Sequence, residues 1–209
     1  PEWTTSAREQ VSIDLIETLE SVEAGPVTLS FADVEVTTRV TGYQRRLRGG
    51  EILDVTPLDL PETTLATRAV IYTLTPQLLR VAGLEEADWP GALHAAEHAA
   101  IGLLPLVATC DRWDIGGVST ALHPDTGLPT VFVYDGYAGG AGFAERGFRR
   151  AHAWLRATLE AIRACGCESG CPSCIQSPKC GNGNEPLSKT GAIALLMEVV
   201  GQLAEVSAA

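Results

Sequence analysis

A chain of 209 residues with 45% apolar content can bury most of its unfolded surface in one large domain or two intimate subdomains, and its bulk needs no covalent staple. A formal charge of -11 argues against a general phosphate-binding surface, because nonspecific nucleic-acid affinity comes from lysine and arginine displacing counterions. No apolar run approaches the roughly eighteen residues of a membrane span, and the start at Pro1, without initiator methionine or targeting segment, suggests a piece cut from a longer polypeptide.

Val11, Ile13 and Leu15 alternate with polar residues, as in a half-buried strand that Gly25-Pro26 ends. Alternation resumes through Val27, Leu29, Phe31, Val34, Val36, Thr38 and Val40, turns at Arg48-Gly49-Gly50 and returns through Ile52, Leu53 and Val55, which predicts a meander. Arg39, Arg45, Arg46 and Arg48 cluster in this hairpin. They are candidate contacts for DNA or a partner, although solvated surface charge explains them as simply. A proline-broken crossing from Leu58 to Glu62 leads into a strand from Thr64 to Leu74.

Helical periodicity begins where Thr75 precedes Pro76, a cap followed by a first-turn proline. A longer helix from Trp89 to Val107 is apolar almost all round, which places it in the core with a bend near Pro105. It carries His94-Ala-Ala-Glu97-His98, two histidines on one helix face in the inverted zinc-peptidase pattern, with the glutamate as general base. A zinc metallopeptidase is therefore the alternative function, and its third ligand would be Glu160 or Glu168. The plainer reading is buried histidines hydrogen-bonded to backbone groups or to nearby aspartates. Cys110 reads as a small core residue.

Strands are expected over 118–122 and 130–134, joined by a turn at His123 to Gly127. Tyr134 to Phe143 is a glycine-rich turn that resembles a phosphate cradle, but its spacing fits neither the Walker motif nor the dinucleotide fingerprint. Close packing of helix on strand explains it better. One helix then runs to about Ala164, carrying a second group of arginines, and Ser188 caps a last helix with Leu196, Val199 and Leu203 on its inner face. The fold class is α+β: an antiparallel, strand-rich part over 1–75 packed with a helical and β part over 76–209 in one compact unit, with a cysteine loop between the last two helices.

That loop, Cys165 to Lys189, holds five of the six cysteines within sixteen residues. Thiolates bind Zn²⁺ tetrahedrally, and Cys171-Pro-Ser-Cys174 is a two-residue knuckle of the kind structural zinc sites use. Cys167 joins them, and the fourth ligand is Cys165 or Cys180. A disulfide framework belongs to small secreted domains and fits this chain poorly. Four sulfurs leave no open position for a substrate, so the ion is structural.

The run Cys165 to Lys189, centred on Cys-Pro-Ser-Cys-Ile-Gln-Ser-Pro-Lys-Cys-Gly-Asn-Gly-Asn, resembles the zinc-binding C-terminal domain of superfamily 2 DNA helicases of the mitomycin-repair-factor-A type. His94-Ala-Ala-Glu-His-Ala-Ala, Leu104-Pro-Leu, Cys110-Asp-Arg-Trp-Asp-Ile-Gly-Gly and Tyr134-Asp-Gly-Tyr-Ala-Gly-Gly-Ala-Gly extend the resemblance over residues 90 to 190. It implies a noncatalytic accessory domain whose parent is an ATP-dependent helicase translocating 3' to 5' on single-stranded DNA in DNA repair. It also implies one structural zinc on Cys165, Cys167, Cys171 and Cys174, with Cys180 also matching a family position. Partners would be the motor domains of the same polypeptide, and DNA through them, in the bacterial cytoplasm at the nucleoid. ATP and Mg²⁺ would belong to the motor alone, since neither a phosphate loop nor an Asp-Glu-x-His box occurs in this chain.

Overall fold

The computed structural model describes residues 3–47 and 51–207, with side chains as far as Glu205. Arg48 and the turn expected at 48–50 lie outside these residues.

Six strands form one antiparallel sheet: β1 (Trp3–Ala24), β2 (Val27–Leu47), β3 (Ile52–Pro57), β4 (Thr63–Leu74), β5 (Ile115–Thr120) and β6 (Thr130–Asp135). The order is β1-β2-β4-β6-β5, with β3 pairing the far end of β2. Because β4 pairs with β6 from Ala69–Tyr134 to Thr73–Thr130, the sheet is continuous across residue 75. The two-residue turn between β1 and β2 puts Gly25 at φ +57, and an added Cβ would lie 2.6 Å from Gln202. The left-handed backbone favours glycine there, whereas the flexible end of Gln202 could swing aside.

Helices α1 (Pro76–Val81), α2 (Trp89–Leu103), α3 (Phe143–Arg149), α4 (Ala151–Ala164) and α5 (Lys189–Ser207) complete the fold. Leu29 and Phe31 of β2, Tyr72 and Leu74 of β4 and Val131 and Val133 of β6 share one core with the helices. α2 is buried on nearly every side, and its alanines let neighbours approach: a Cβ on Gly191 of α5 would come within 2.8 Å of the Ala92 Cβ. The Trp154 indole of α4 donates to Ala100 O at 2.8 Å, which fixes α4 on α2.

The other sheet face buries Ile13, Val34, Val36, Ile71 and Phe132. β1 carries three register shifts, at Arg8/Glu9, Leu15/Glu17 and Thr18/Glu20, of the kind that bend a strand. It reaches the turn after β5, where Ile13 O accepts from His123 Nε2 at 2.9 Å and Leu15 N–H donates to Asp125 at 2.8 Å.

Three local expectations are corrected. Pro105 does not bend α2; the helix ends at Leu103 and a 3-10 turn, Leu104–Leu106, follows, since proline offers no N–H to continue the ladder. The helix expected from Phe143 to Ala164 is two helices, broken at Arg150, where φ is -119 and ψ 21. α3 lies on β4 and α4 on α2 and α5, so packing sets this break, with neither glycine nor proline at it. Finally β5 begins at Ile115, because Gly116 and Gly117 pass under Tyr134 and Glu97, whose atoms would lie 2.2 and 2.6 Å from added Cβ atoms.

Candidate metal centre

α4 delivers Cys165 at its C-terminal end, where the backbone turns extended (φ -71, ψ 121). The chain then makes the knuckle. Cys171 O accepts from the N–H groups of Cys174, Ile175 and Gln176 at 3.0 to 3.2 Å, and Cys171 N–H donates to Cys174 Sγ at 3.3 Å. Ile175, fully buried, pins the loop into the helical core beside Cys174. Gly170 at φ +123 makes this possible, as an added Cβ would meet Ile175 at 2.5 Å.

Cys165, Cys167, Cys171 and Cys174 converge so that all four sulfurs lie within 4.8 Å of one another. The separations 165–167, 165–171, 167–174 and 171–174 are 3.6, 3.5, 3.5 and 3.8 Å. A tetrahedron with Zn–S bonds of about 2.3 Å has edges of about 3.8 Å, so the donor set fits zinc. Electrostatics point the same way. Burial resists ionisation at Cys167, but hydrogen bonds from the three other sulfurs and Lys189 outweigh it and bring the thiol down to about 7, whereas burial pushes Cys174 up to about 12. Sulfurs this close cannot all ionise without a cation among them. Lys189, the first residue of α5, donates its ammonium to Cys165 O at 2.7 Å, Cys167 O at 2.6 Å and Cys167 Sγ at 3.4 Å.

Cys180 stands apart from this tetrahedron. Its sulfur lies 3.5 Å from His94 Nε2 and groups with His94 and His98 within 4.8 Å. Burial opposes its ionisation, yet the neighbouring His98 and the Asn184 N–H hold its pKa below the ordinary thiol value. Both histidines also meet backbone carbonyls, His94 Nδ1 at Pro186 O and His98 Nδ1 at Ile175 O, each at 2.9 Å; His98 is buried as the plainer reading expects, whereas His94 is half-buried. Glu97, between them on α2, accepts from Ser119 Oγ at 2.6 Å; burial pushes its pKa up to about 7 against that bond and the influence of nearby His94. The carboxylates expected as a peptidase's third ligand are elsewhere: Glu160 is exposed beside Arg156 at 3.7 Å, and Glu168 lies on the exposed loop surface.

The glycine-rich turn after β6 holds its own anion. Asp135, fully buried, accepts from the backbone N–H groups of Ala141, Gly142, Phe143 and Ala144 at 2.6 to 3.3 Å. A carboxylate of the chain thus occupies the position a phosphate would take. In the hairpin, Arg39 pairs with Asp59 at 3.2 Å and Glu62 at 3.9 Å, and Arg45 forks onto Asp54. Among the described residues no carboxylate pairs with Arg46, and none of the helices is long and apolar enough to cross a membrane.

With this geometry in hand, the family model of the MrfA Zn-binding domain matches residues 96–175. An uncharacterized protein of Methanocaldococcus jannaschii is 39% identical over 113 residues, which is 52% of this chain and 99% of that protein. The uncharacterized ATP-dependent helicase YprA of Bacillus subtilis is 32% identical over 83% of this chain and 23% of its own length. The crystal structure of the DUF1998 helicase MrfA bound to DNA is similar with a TM-score of 0.69 and 28% identity, over 97% of this chain and 26% of that one. The chain spans about a quarter of each of these two helicases.

Proposed function

The chain belongs to the MrfA zinc-binding domain family, and from that membership we propose that it is the noncatalytic, zinc-stabilised accessory module of an ATP-dependent DNA helicase. Its structural zinc is held by Cys165, Cys167, Cys171 and Cys174 and clamps the end of α4 to the start of α5. The parent translocates 3' to 5' in DNA repair in the bacterial cytoplasm, and its motor domains, which alone use ATP and Mg²⁺, are the partners of this unit. Residues 1–75 and 76–209 act together as one body. Of the described hairpin arginines, Arg39 is paired with Asp59 and Glu62 and Arg45 with Asp54, so Arg46 is the one we assign to a phosphate or a motor lobe.

The observation that carries this reading is the four-sulfur tetrahedron inside a family-matched segment, with every position closed to substrate. Two assays test it. This chain should hydrolyse no ATP with or without DNA. In the full-length parent, changing Cys171 and Cys174 to serine should remove the loop's zinc and impair unwinding. DNA-stimulated ATP hydrolysis by the isolated chain, or unwinding untouched by the double substitution, would overturn the proposal.

A further inference from the structure

The group formed by His94, His98 and Cys180 has no part in the four-sulfur centre, and four observations say what it is for. First, His94 and His98 stand one helical turn apart on α2 with ring centroids 4.2 Å apart, so their donor atoms face the same space. Second, their tautomers follow from their partners. A carbonyl oxygen can only accept, so Nδ1 of each ring carries the proton toward Pro186 O or Ile175 O, and each neutral ring keeps a bare Nε2 lone pair. An Nδ1–H donated to a backbone carbonyl is also the support that metal-binding histidines use to fix ring orientation.

Third, the loop that brings Cys180 to them is built for it. Asn184, the one non-glycine residue with positive φ (65) among the described residues, ties its amide to both backbone groups of Ser177, at 2.7 and 3.1 Å, and donates its own N–H to Cys180 Sγ at 3.3 Å. A left-handed asparagine and three hydrogen bonds hold one sulfur in place. Fourth, a cavity of about 650 Å³ opens beside the group, lined by His94, His98 and Cys180 and by Glu97, Ser119 and Lys179.

We propose that His94 Nε2, His98 Nε2 and Cys180 Sγ hold a second divalent ion of the zinc class, with its fourth position turned to this cavity. Two imidazoles and one thiolate are donors that suit zinc and its borderline neighbours, whereas magnesium and calcium require oxygen. Three protein ligands and an open position differ in kind from the closed sulfur tetrahedron. The open position would take water or a small anion, and Lys179, with its ammonium on Ile115 O at 2.8 Å, supplies positive charge to the same cavity.

The test counts ions. This chain, loaded with excess Zn²⁺ and freed of loose metal by gel filtration, should carry two zincs. His94→Gln and Cys180→Ser should each carry one, with the sulfur-bound ion retained and the thermal melt still cooperative. Wild-type protein that holds one zinc, leaving Cys180 merely a hydrogen-bond donor to His94, overturns the proposal; so does a Cys180→Ser protein that keeps two. Should a variant fail to fold, Co²⁺ titration of the metal-stripped wild type decides. A second equivalent with its own visible bands, distinct from those of four-sulfur cobalt, supports the site, and saturation at one equivalent rejects it. Loss of the first ion on changing Cys171 is read separately, so the two proposals stand or fall apart.

Discussion

Four thiolates around a divalent ion leave net negative charge in a half-buried loop, and Lys189 is the residue placed to meet it. Lys189 is only 8% exposed, and its ammonium touches two ligand-bearing carbonyls and one ligand sulfur. Burying a lysine so deeply is costly unless its charge is compensated. Lys189→Met keeps much of the aliphatic stem and removes the three bonds. We expect zinc to be held about 10- to 100-fold less tightly, the usual effect of losing such a supporting contact, as read by competition with a chromophoric chelator. Unchanged affinity would mean that the lysine only fills space. The lysine was visible in the sequence simply as the residue after Ser188; its role depends on α5 starting against the loop, which spacing does not encode. The same holds for Cys180. Five neighbouring cysteines announced a metal, but the choice between Cys165 and Cys180 turns on a partner 86 residues away in His94 and on a left-handed turn at Asn184.

At the scale of elements, local pattern and residue type were enough for several strands and for a helix start. The alternating β2, the strand over Thr64 to Leu74 read from its residue types and the capped start of α1, where Thr75 Oγ1 accepts from Leu78 N–H, are found where the sequence puts them. Local pattern failed where packing overrides propensity: Gly116 and Gly117 sit in a strand because side chains cross over them, and the break at Arg150 carries no residue that ends helices. The turn from β6 into α3 shows what such packing achieves. Gly139, Gly140 and Gly142 adopt φ between +77 and +87, so that successive N–H groups face one carboxylate, Asp135. Asp135→Ala takes the buried acceptor away from these donors, of which the Ala144 N–H is itself buried, and should cost about 3 kcal/mol, given about 1.5 to 3 kcal/mol for a hydrogen bond to a charged group. At roughly 2 to 4 °C per kcal/mol for a chain of this size, the melting temperature should fall by about 6 °C or more. Asp135→Asn keeps an acceptor and should fall less. A melt of the alanine variant within a degree of wild type would show that the turn holds without its anion.

Across the whole molecule, the sheet and the zinc loop rest on different sources of stability, and pH and metal separate them. Burial pushes the phenols of Tyr72 and Tyr134 up, Tyr134 to about 12, with Glu97 adding to both and Glu9 to Tyr134. A raised phenol favours the folded state below the ordinary value of about 10 and withdraws that support as pH climbs toward 12, by at most about 3 kcal/mol for a two-unit shift. Urea midpoints should therefore decline between pH 10 and 12 in step with late tyrosine ionisation; a flat midpoint there rules it out. Chelation acts on the other part. β2, β4 and β6 bury both their faces, in one core with the helices and in a second with Ile13, and need no metal to do so. The loop between α4 and α5 is held by its sulfurs, Lys189 and Ile175, and a structural zinc contributes about 10 kcal/mol or more to such a segment. Metal-stripped protein should then lose amide protection over 165–188 and at the ends of α4 and α5 that the loop joins, while β4 and β6 exchange as slowly as before. Hydrogen exchange read by mass spectrometry separates the outcomes: protection lost together in sheet and loop would make the ion a support of the entire fold, and protection kept in the loop would mean that its own packing is enough.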